Sequence, residues 1–149
     1  MNISTNEFLP HSTPMLWAKN LTMIDGGGAT CESRIGDDFL PFLDDAGELP
    51  ATLLIEIMAQ TIGVWVGFHD RENGRPAQSG MLLGCRDFRP AVRSIPFDST
   101  LRVSVEIVVR DEFVGVFEAK AFLEGACVAR ATLSTCQISW ENLEELLKR

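Results

Sequence analysis

Residues 50–69 read PATLLIEIMAQTIGVWVGFH, and the fold turns on how this stretch is understood. Pro50 opens it at a position a helix tolerates, because the first helical residue needs no N–H. Leu53, Leu54, Ile55, Ile57, Met58, Ile62, Val64, Trp65, Val66 and Phe68 then leave almost no polar face, and Asn73-Gly74 supplies a stop signal. The pattern predicts one helix over Ala51 to His69. A helix apolar all round is enclosed either by its own protein or by lipid. Its length is near the minimum for a span. Glu56 and Gln60 sit inside it, however, and a central acid costs about 2.5–3.5 kcal/mol on insertion. No basic residue stands just before it, and the chain beyond it alternates as sheet strands do. The expectation is a core helix with no membrane span.

Outward from the helix the periodicity changes to two. Upstream, Leu16 to Ile24 reads as a strand and Ala29 to Ile35 as its partner, joined by Asp25-Gly26-Gly27-Gly28. A glycine triplet can cradle a phosphate, but no helix and no GK[ST] follow this one, so a hairpin turn is the better reading. A short helix is expected near Asn6 to Leu9, and Gly36 to Leu49 is irregular and acidic. Downstream, Met81 to Arg89 reads as a strand. Leu101 to Val109 alternates, with Leu101, Val103, Val105, Ile107 and Val109 expected inward. Phe113 to Leu123 and Ala126 to Ile138 form a hairpin across Glu124-Gly125, and Trp140 to Arg149 reads as a terminal helix. Two strands, a buried helix and about four more strands make a single α+β domain. A sheet that curls around one apolar helix satisfies the pattern with least exposed grease, and that is the hot-dog fold.

With 149 residues the chain can bury a core without staples. Its net charge of −8 argues against nucleic acid as partner, since phosphate binding needs a dominant basic face. A local basic patch can still meet an acidic protein. Cys31, Cys85, Cys127 and Cys136 form no CxxC, and with only His11 and His69 beside them no metal site is expected; they read as reduced core residues. The opening MNISTNEF lacks the features of a signal peptide. The expected compartment is the cytoplasm, and the two N-x-[ST] matches at Asn2 and Asn20 are then chance.

Glu56, flanked by Ile55 and Ile57, is the chief candidate for chemistry. Burial disfavours a charged carboxyl and should raise its pKa, which suits general acid or base work near neutrality. Thr52, Glu56, Gln60 and Gly63 share one helical stripe that is small or polar, as a substrate channel needs. The alternative is a structural acid satisfied by Gln60 or a backbone N–H. His11 reads as a loop cap or an active-site residue, and His69 as a surface residue at the helix end. Arg86, Arg89 and Arg93 are either a solvated strand end or an anion-docking cluster.

Three phrases together resemble a known family: Leu9-Pro10-His11 with Pro14-Met15-Leu16, Leu54-Ile55-Glu56-Ile57-Met58-Ala59-Gln60, and Leu83-Gly84-Cys85-Arg86-Asp87-Phe88-Arg89-Pro90. They are similar to the FabZ-type 3-hydroxyacyl-carrier-protein dehydratases. Pro-Phe-Leu at residues 41–43 and Met-Ala-Gln-Thr-Ile-Gly-Val at residues 58–64 bring the chain closer to the dehydratase-like ApeP proteins of aryl-polyene pigment clusters. The resemblance implies a hot-dog dimer, homo- or heteromeric with a related subunit, with active sites at the subunit interface and no cofactor. It implies a 3-hydroxyacyl thioester, tethered by phosphopantetheine to an acyl carrier protein, that loses water to give the trans-2-enoyl product. Glu56 then matches the catalytic carboxylate, Gln60 its companion, Gly84 a residue beside the substrate, and Arg86, Arg89 and Arg93 the basic surface near the carrier.

One departure bears on the chemistry. FabZ-type enzymes carry a catalytic histidine in a His-Phe-Pro-Gly phrase ahead of the glutamate, where this chain reads Phe39-Leu40-Pro41-Phe42-Leu43-Asp44. Three readings follow: a dehydratase relying on Glu56 with or without His11, a hot-dog thioesterase in which Glu56 directs water, or a partner subunit of a catalytic homologue.

Overall fold

A computed structural model describes residues 1–9, 15–75, 80–111, 114–137, 145 and 148. The chain opens with β1 (Ile3–Ser4) and a 3-10 turn at Thr5–Glu7, followed by β2 (Asn20–Ile24) and β3 (Gly28–Arg34). A second 3-10 segment, Asp37–Phe42, precedes β4 (Glu48–Pro50). A third, Ala51–Leu53, leads directly into α1 (Leu54–Glu72). Then come β5 (Gly80–Pro90), β6 (Ser94–Pro96), β7 (Thr100–Arg110), β8 (Val114–Leu123) and β9 (Ala126–Gln137). The expected terminal helix and His11 lie outside the described residues.

Seven strands form one antiparallel sheet in the order β1-β2-β3-β7-β8-β9-β5, and β4 and β6 pair separately. The sheet packs against α1 and buries Leu54, Ile57, Met58, Ile62, Val64, Trp65 and Val66. Each such side chain contributes about 1.5–3 kcal/mol by leaving water. α1 has the length and hydropathy of a membrane span, but it is the core helix of this sheet. From the sheet side, Leu101, Val103, Val105, Phe117, Ala119, Ala121, Ala129, Ala131 and Leu133 face it, every second residue of their strands. On β8 and β9 alanine recurs among the buried positions.

Two expectations about the strands need correction. The alternation of β7 breaks at a bulge between Ile107 and Val109, so Val109 pairs with Val116 and is 60% exposed, not inward. One extra residue in a strand of period two turns every later side chain to the other face. The segment Leu16 to Ile24 is a strand only from Asn20, because the backbone of Trp17 and Ala18 is engaged by α1 instead of a neighbouring strand.

The glycine triplet is a turn. Asp25 Oδ1 accepts the N–H groups of Gly27 (2.8 Å) and Gly28 (2.9 Å). The Asp25 carbonyl accepts Trp65 Nε1 at 2.9 Å and lies 3.0 Å from His69 Nε2. His69 is thus half-buried against Trp65 and locks the hairpin to the helix end, rather than standing free on the surface. A side chain at residue 28 would place its Cβ 2.1 Å from the Val105 carbonyl oxygen, whereas one at residue 26 meets nothing within 4 Å.

All four cysteines are free. Burial pushes the Cys31 thiol up to about 12, against a smaller opposing effect of its hydrogen bond with Thr61.

Two stability predictions follow from these contacts. Gly28→Ala should cost about 1–3 kcal/mol or more in urea unfolding, because backbone must move, while Gly26→Ala stays within a few tenths. The Cys31 thiol is harder to ionise when folded, so its contribution is complete below the ordinary value of 9.0 and is lost as pH rises towards 12. The alkaline decline in stability should therefore be shallower in Cys31→Ala than in the wild type.

Candidate functional site

The sheet does not seal α1. Thr52 is exposed just ahead of it, and Ile55, Glu56, Ala59 and Gly63 are only half-buried. These residues recur at helical spacing, so the opening is a single stripe. The expected burial on all sides thus fails along the line that carries Glu56. Its physical reason is that one curved sheet covers only part of a cylinder.

Gln60 organises this stripe. It is 2% exposed, and its side-chain amide meets four partners. Oε1 accepts the N–H groups of Trp17 (2.8 Å) and Ala18 (3.0 Å). Nε2 donates to the Met15 carbonyl (2.8 Å) and to Glu56 Oε1 (3.0 Å). Two backbone donors on one side fix which end of the amide is oxygen, so the nitrogen must face Glu56. The carboxylate is therefore aimed by a side chain whose orientation the backbone decides.

The rest of the small-residue stripe has another use. A Cβ at Gly63 would lie 2.8 Å from Leu9 Cδ2, and one at Gly67 would lie 2.6 Å from the Phe8 carbonyl oxygen. Phe8 and Leu9 thus lie in the groove that these glycines leave, and Arg71 holds the same segment by pairing with Glu7. A channel along the full stripe is not what the structure presents. Its open part is the first half of the helix, around Thr52, Glu56 and Ala59.

The helix start is tied down by β4 and β6, with Leu49 opposite Ile95 and Pro50 opposite Ser94. Ala51 N–H donates to the Arg93 carbonyl at 2.9 Å. Arg93 thereby stands beside Thr52, at a surface hollow of about 380 Å³ that Pro50, Pro90 and Val92 also line. Arg86 and Arg89 are apart from it, on β5, where they and Gly84 are exposed. The strand bulges between Leu82 and Gly84 and again between Arg86 and Arg89, where Asp87 takes a positive φ of 53°. The arginines expected as one cluster are therefore two on the sheet and one at the helix start.

The Phe39–Asp44 region is filled with aromatic packing. Phe39 is fully buried with its ring 5.1 Å from Trp17, and Phe42 lies 4.9 Å from the same indole edge-on. Trp17 belongs to the backbone segment that Gln60 clamps, so these aromatics brace the site from behind. Spacing along the helix pointed to Glu56 and Gln60 together. Nothing in the sequence pointed to Trp17, whose role rests on contacts between residues far apart in the chain.

Residues 3–148 match the ApeP-like family, described as ApeP dehydratase. A chain of the dehydratase heterocomplex ApeI:P from Xenorhabdus doucetiae superimposes with a TM-score of 0.94 at 30% identity, over 99% of each chain. A hypothetical thioesterase with coenzyme A from Streptococcus pneumoniae TIGR4 superimposes with a TM-score of 0.60 at 14% identity, over 80% of this chain and 87% of that one. The PaaI protein of the phenylacetic acid degradation operon of E. coli does so with 0.60 at 11% identity, over 78% and 80%. These last two share the hot-dog fold and nothing more specific. No curated protein matches.

The clamp makes a direct prediction. Gln60→Met keeps the length and volume but strands the N–H groups of Trp17 and Ala18 and the Met15 carbonyl. Each buried unsatisfied group costs about 1–3 kcal/mol, so the variant should lose more than ~2 kcal/mol in urea unfolding. Amide exchange at Trp17 and Ala18 should accelerate well beyond that of the β7–β8 ladder.

Proposed function

Because the chain belongs to the ApeP-like dehydratase family, we propose that it is one subunit of a two-chain hot-dog dehydratase that uses Glu56 to move protons. The observation that carries this reading is the open stripe of α1, with a carboxylate held at its centre by Gln60. The substrate we assign is a 3-hydroxyacyl thioester on the phosphopantetheine arm of an acyl carrier protein. Elimination takes a proton from C2 and expels the C3 hydroxyl as water, leaving a trans C2–C3 double bond. Two proton transfers are needed, one to a base and one to the departing oxygen. Glu56 supplies one of the two groups. The second is His11 or a residue of the partner subunit. What supports His11 is that Leu9 and Met15, the described residues on either side of it, both meet the helix face that carries Glu56, at Gly63 and Gln60.

A second hot-dog chain is the partner the edge of the sheet fits. β5 is an eleven-residue edge strand with Leu82 at 42% and Leu83 at 54% exposed. An unpaired strand edge is a template for pairing with another strand. The heteromeric arrangement is favoured by the aromatic packing of Phe39 and Phe42 on Trp17, which occupies the region where FabZ-type enzymes carry their histidine. We assign carrier binding to Arg86, Arg89 and Arg93, with Gly84 beside the acyl chain.

The test is mass spectrometry of a carrier-bound 3-hydroxyacyl group. We expect the loss of one water with the two-chain assembly and little or none with this chain alone. Glu56→Gln keeps the shape and the hydrogen bond to Gln60 but carries no exchangeable acid, so turnover should fall about 10²–10⁴-fold with the fold intact. Full activity of that variant in the assembly would remove Glu56 from the chemistry, and full activity of the isolated chain would remove the need for a partner.

A further inference from the structure

The outer face of the sheet carries a row of positive charge that only the strand register reveals. Lys120 on β8 stands directly opposite Arg130 on β9, and Arg130 directly opposite Arg89 on β5. All three are exposed, while their strand neighbours Ala119, Ala121, Ala129 and Ala131 are buried against the helix side. Arg86 lies in the next row, opposite Thr132. Like charges directly opposite on adjacent strands destabilise a sheet. Lys120 and Arg130 make no ion pair among the described residues and Arg89 reaches Asp87 only at 4.0 Å, although Glu106 and Glu118 line the same surface hollow as Lys120. Charges that guard a sheet edge against aggregation would account for Arg86 and Arg89. They would not account for Lys120 and Arg130, which lie on strands paired on both sides.

We infer that this row is a docking surface for an acidic helix, and, resting on the carrier-borne substrate proposed above, that the helix belongs to the acyl carrier protein. Strands are about 4.8 Å apart, so three cations on adjacent strands span roughly 10 Å. A helix laid across the strands presents carboxylates at i, i+4 and i+7 over about the same length, at 1.5 Å per residue. Spacing and sign therefore match together. A nucleic acid fits less well. Its charge density would be repelled by a chain of net charge −8, and a row of three or four cations contacts too few phosphates to offset that. The row adds Lys120 and Arg130 to Arg86 and Arg89; Arg93, also assigned to the carrier above, lies outside the row at the helix start.

The experiment measures binding of a phosphopantetheinylated acyl carrier protein to the two-chain assembly by calorimetry, in low and in moderate salt. The double variant Lys120→Glu, Arg130→Glu should weaken binding roughly tenfold or more in low salt, with a smaller difference in moderate salt. The neutral pair Lys120→Gln, Arg130→Gln should lie between it and the wild type. Arg75→Glu, exposed beyond α1, changes the net charge by the same amount per site and should alter binding less than about twofold. A carrier in which two helix glutamates are replaced by lysine should recover affinity for the charge-reversed double variant. If reversal at Lys120 and Arg130 leaves binding unchanged, the docking row is wrong while the carrier reading stands. If the carrier fails to bind the wild type at all, the carrier reading falls and takes this occupant with it. A duplex oligonucleotide that displaces the carrier with equal affinity would reassign the row to nucleic acid and overturn the proposal.

Discussion

A helix that is apolar on every side needs a complete coat, and a single curved sheet cannot give it one. The arrangement of this chain follows from that constraint. The sheet takes the face that carries Leu54, Ile57, Met58, Val64 and Trp65. The N-terminal segment takes a second strip, with Phe8 and Leu9 set into the grooves that Gly67 and Gly63 leave. Among the described residues, neither fully covers the start of the helix, where Thr52 is exposed and Glu56 and Ala59 are half-buried. Leaving aliphatic surface there would be a liability in a lone chain. This is the stripe on which the proposed function places a site shared with a second subunit.

Gln60 links this coat to the chemistry. Its amide has two acceptor sites and two donor hydrogens, and the structure gives it two backbone N–H groups, one backbone carbonyl and Glu56. Asparagine would be too short to reach all four, and glutamate would set a second acid against Glu56 and the Met15 carbonyl. The segment from Met15 to Ala18 and the carboxylate are consequently held by one side chain. Any shift in how the N-terminal segment lies on the helix is felt at Glu56 without an intervening element.

How far the sequence could be read depended on whether the information was local. The helix, its polar stripe and the strands of period two are local patterns, and each was legible. So was the pairing of Glu56 with Gln60, four residues apart on one face. The bulge that turns Val109 outward was not, because one added residue leaves no mark on a hydrophobic alternation until its partner strand is known. His69 looked like a surface residue, since the Asp25 carbonyl that receives it belongs to a turn far away in the chain. Lys120, Arg130 and Arg89 are spread over three strands and became a row only when the register aligned them.

The aromatic cluster gives the division of labour between the chains a physical basis. In the related dehydratases the segment ahead of the central helix presents a histidine to the substrate. Here the corresponding segment turns Phe39 fully inward, and Phe39 and Phe42 both pack on Trp17. A large ring in that position gives close contact and rigidity but cannot accept a proton. The exchange converts a catalytic loop into a brace for the backbone that Gln60 holds. Under the proposed reading the second proton-transfer group therefore comes from elsewhere, from His11 or from a partner subunit.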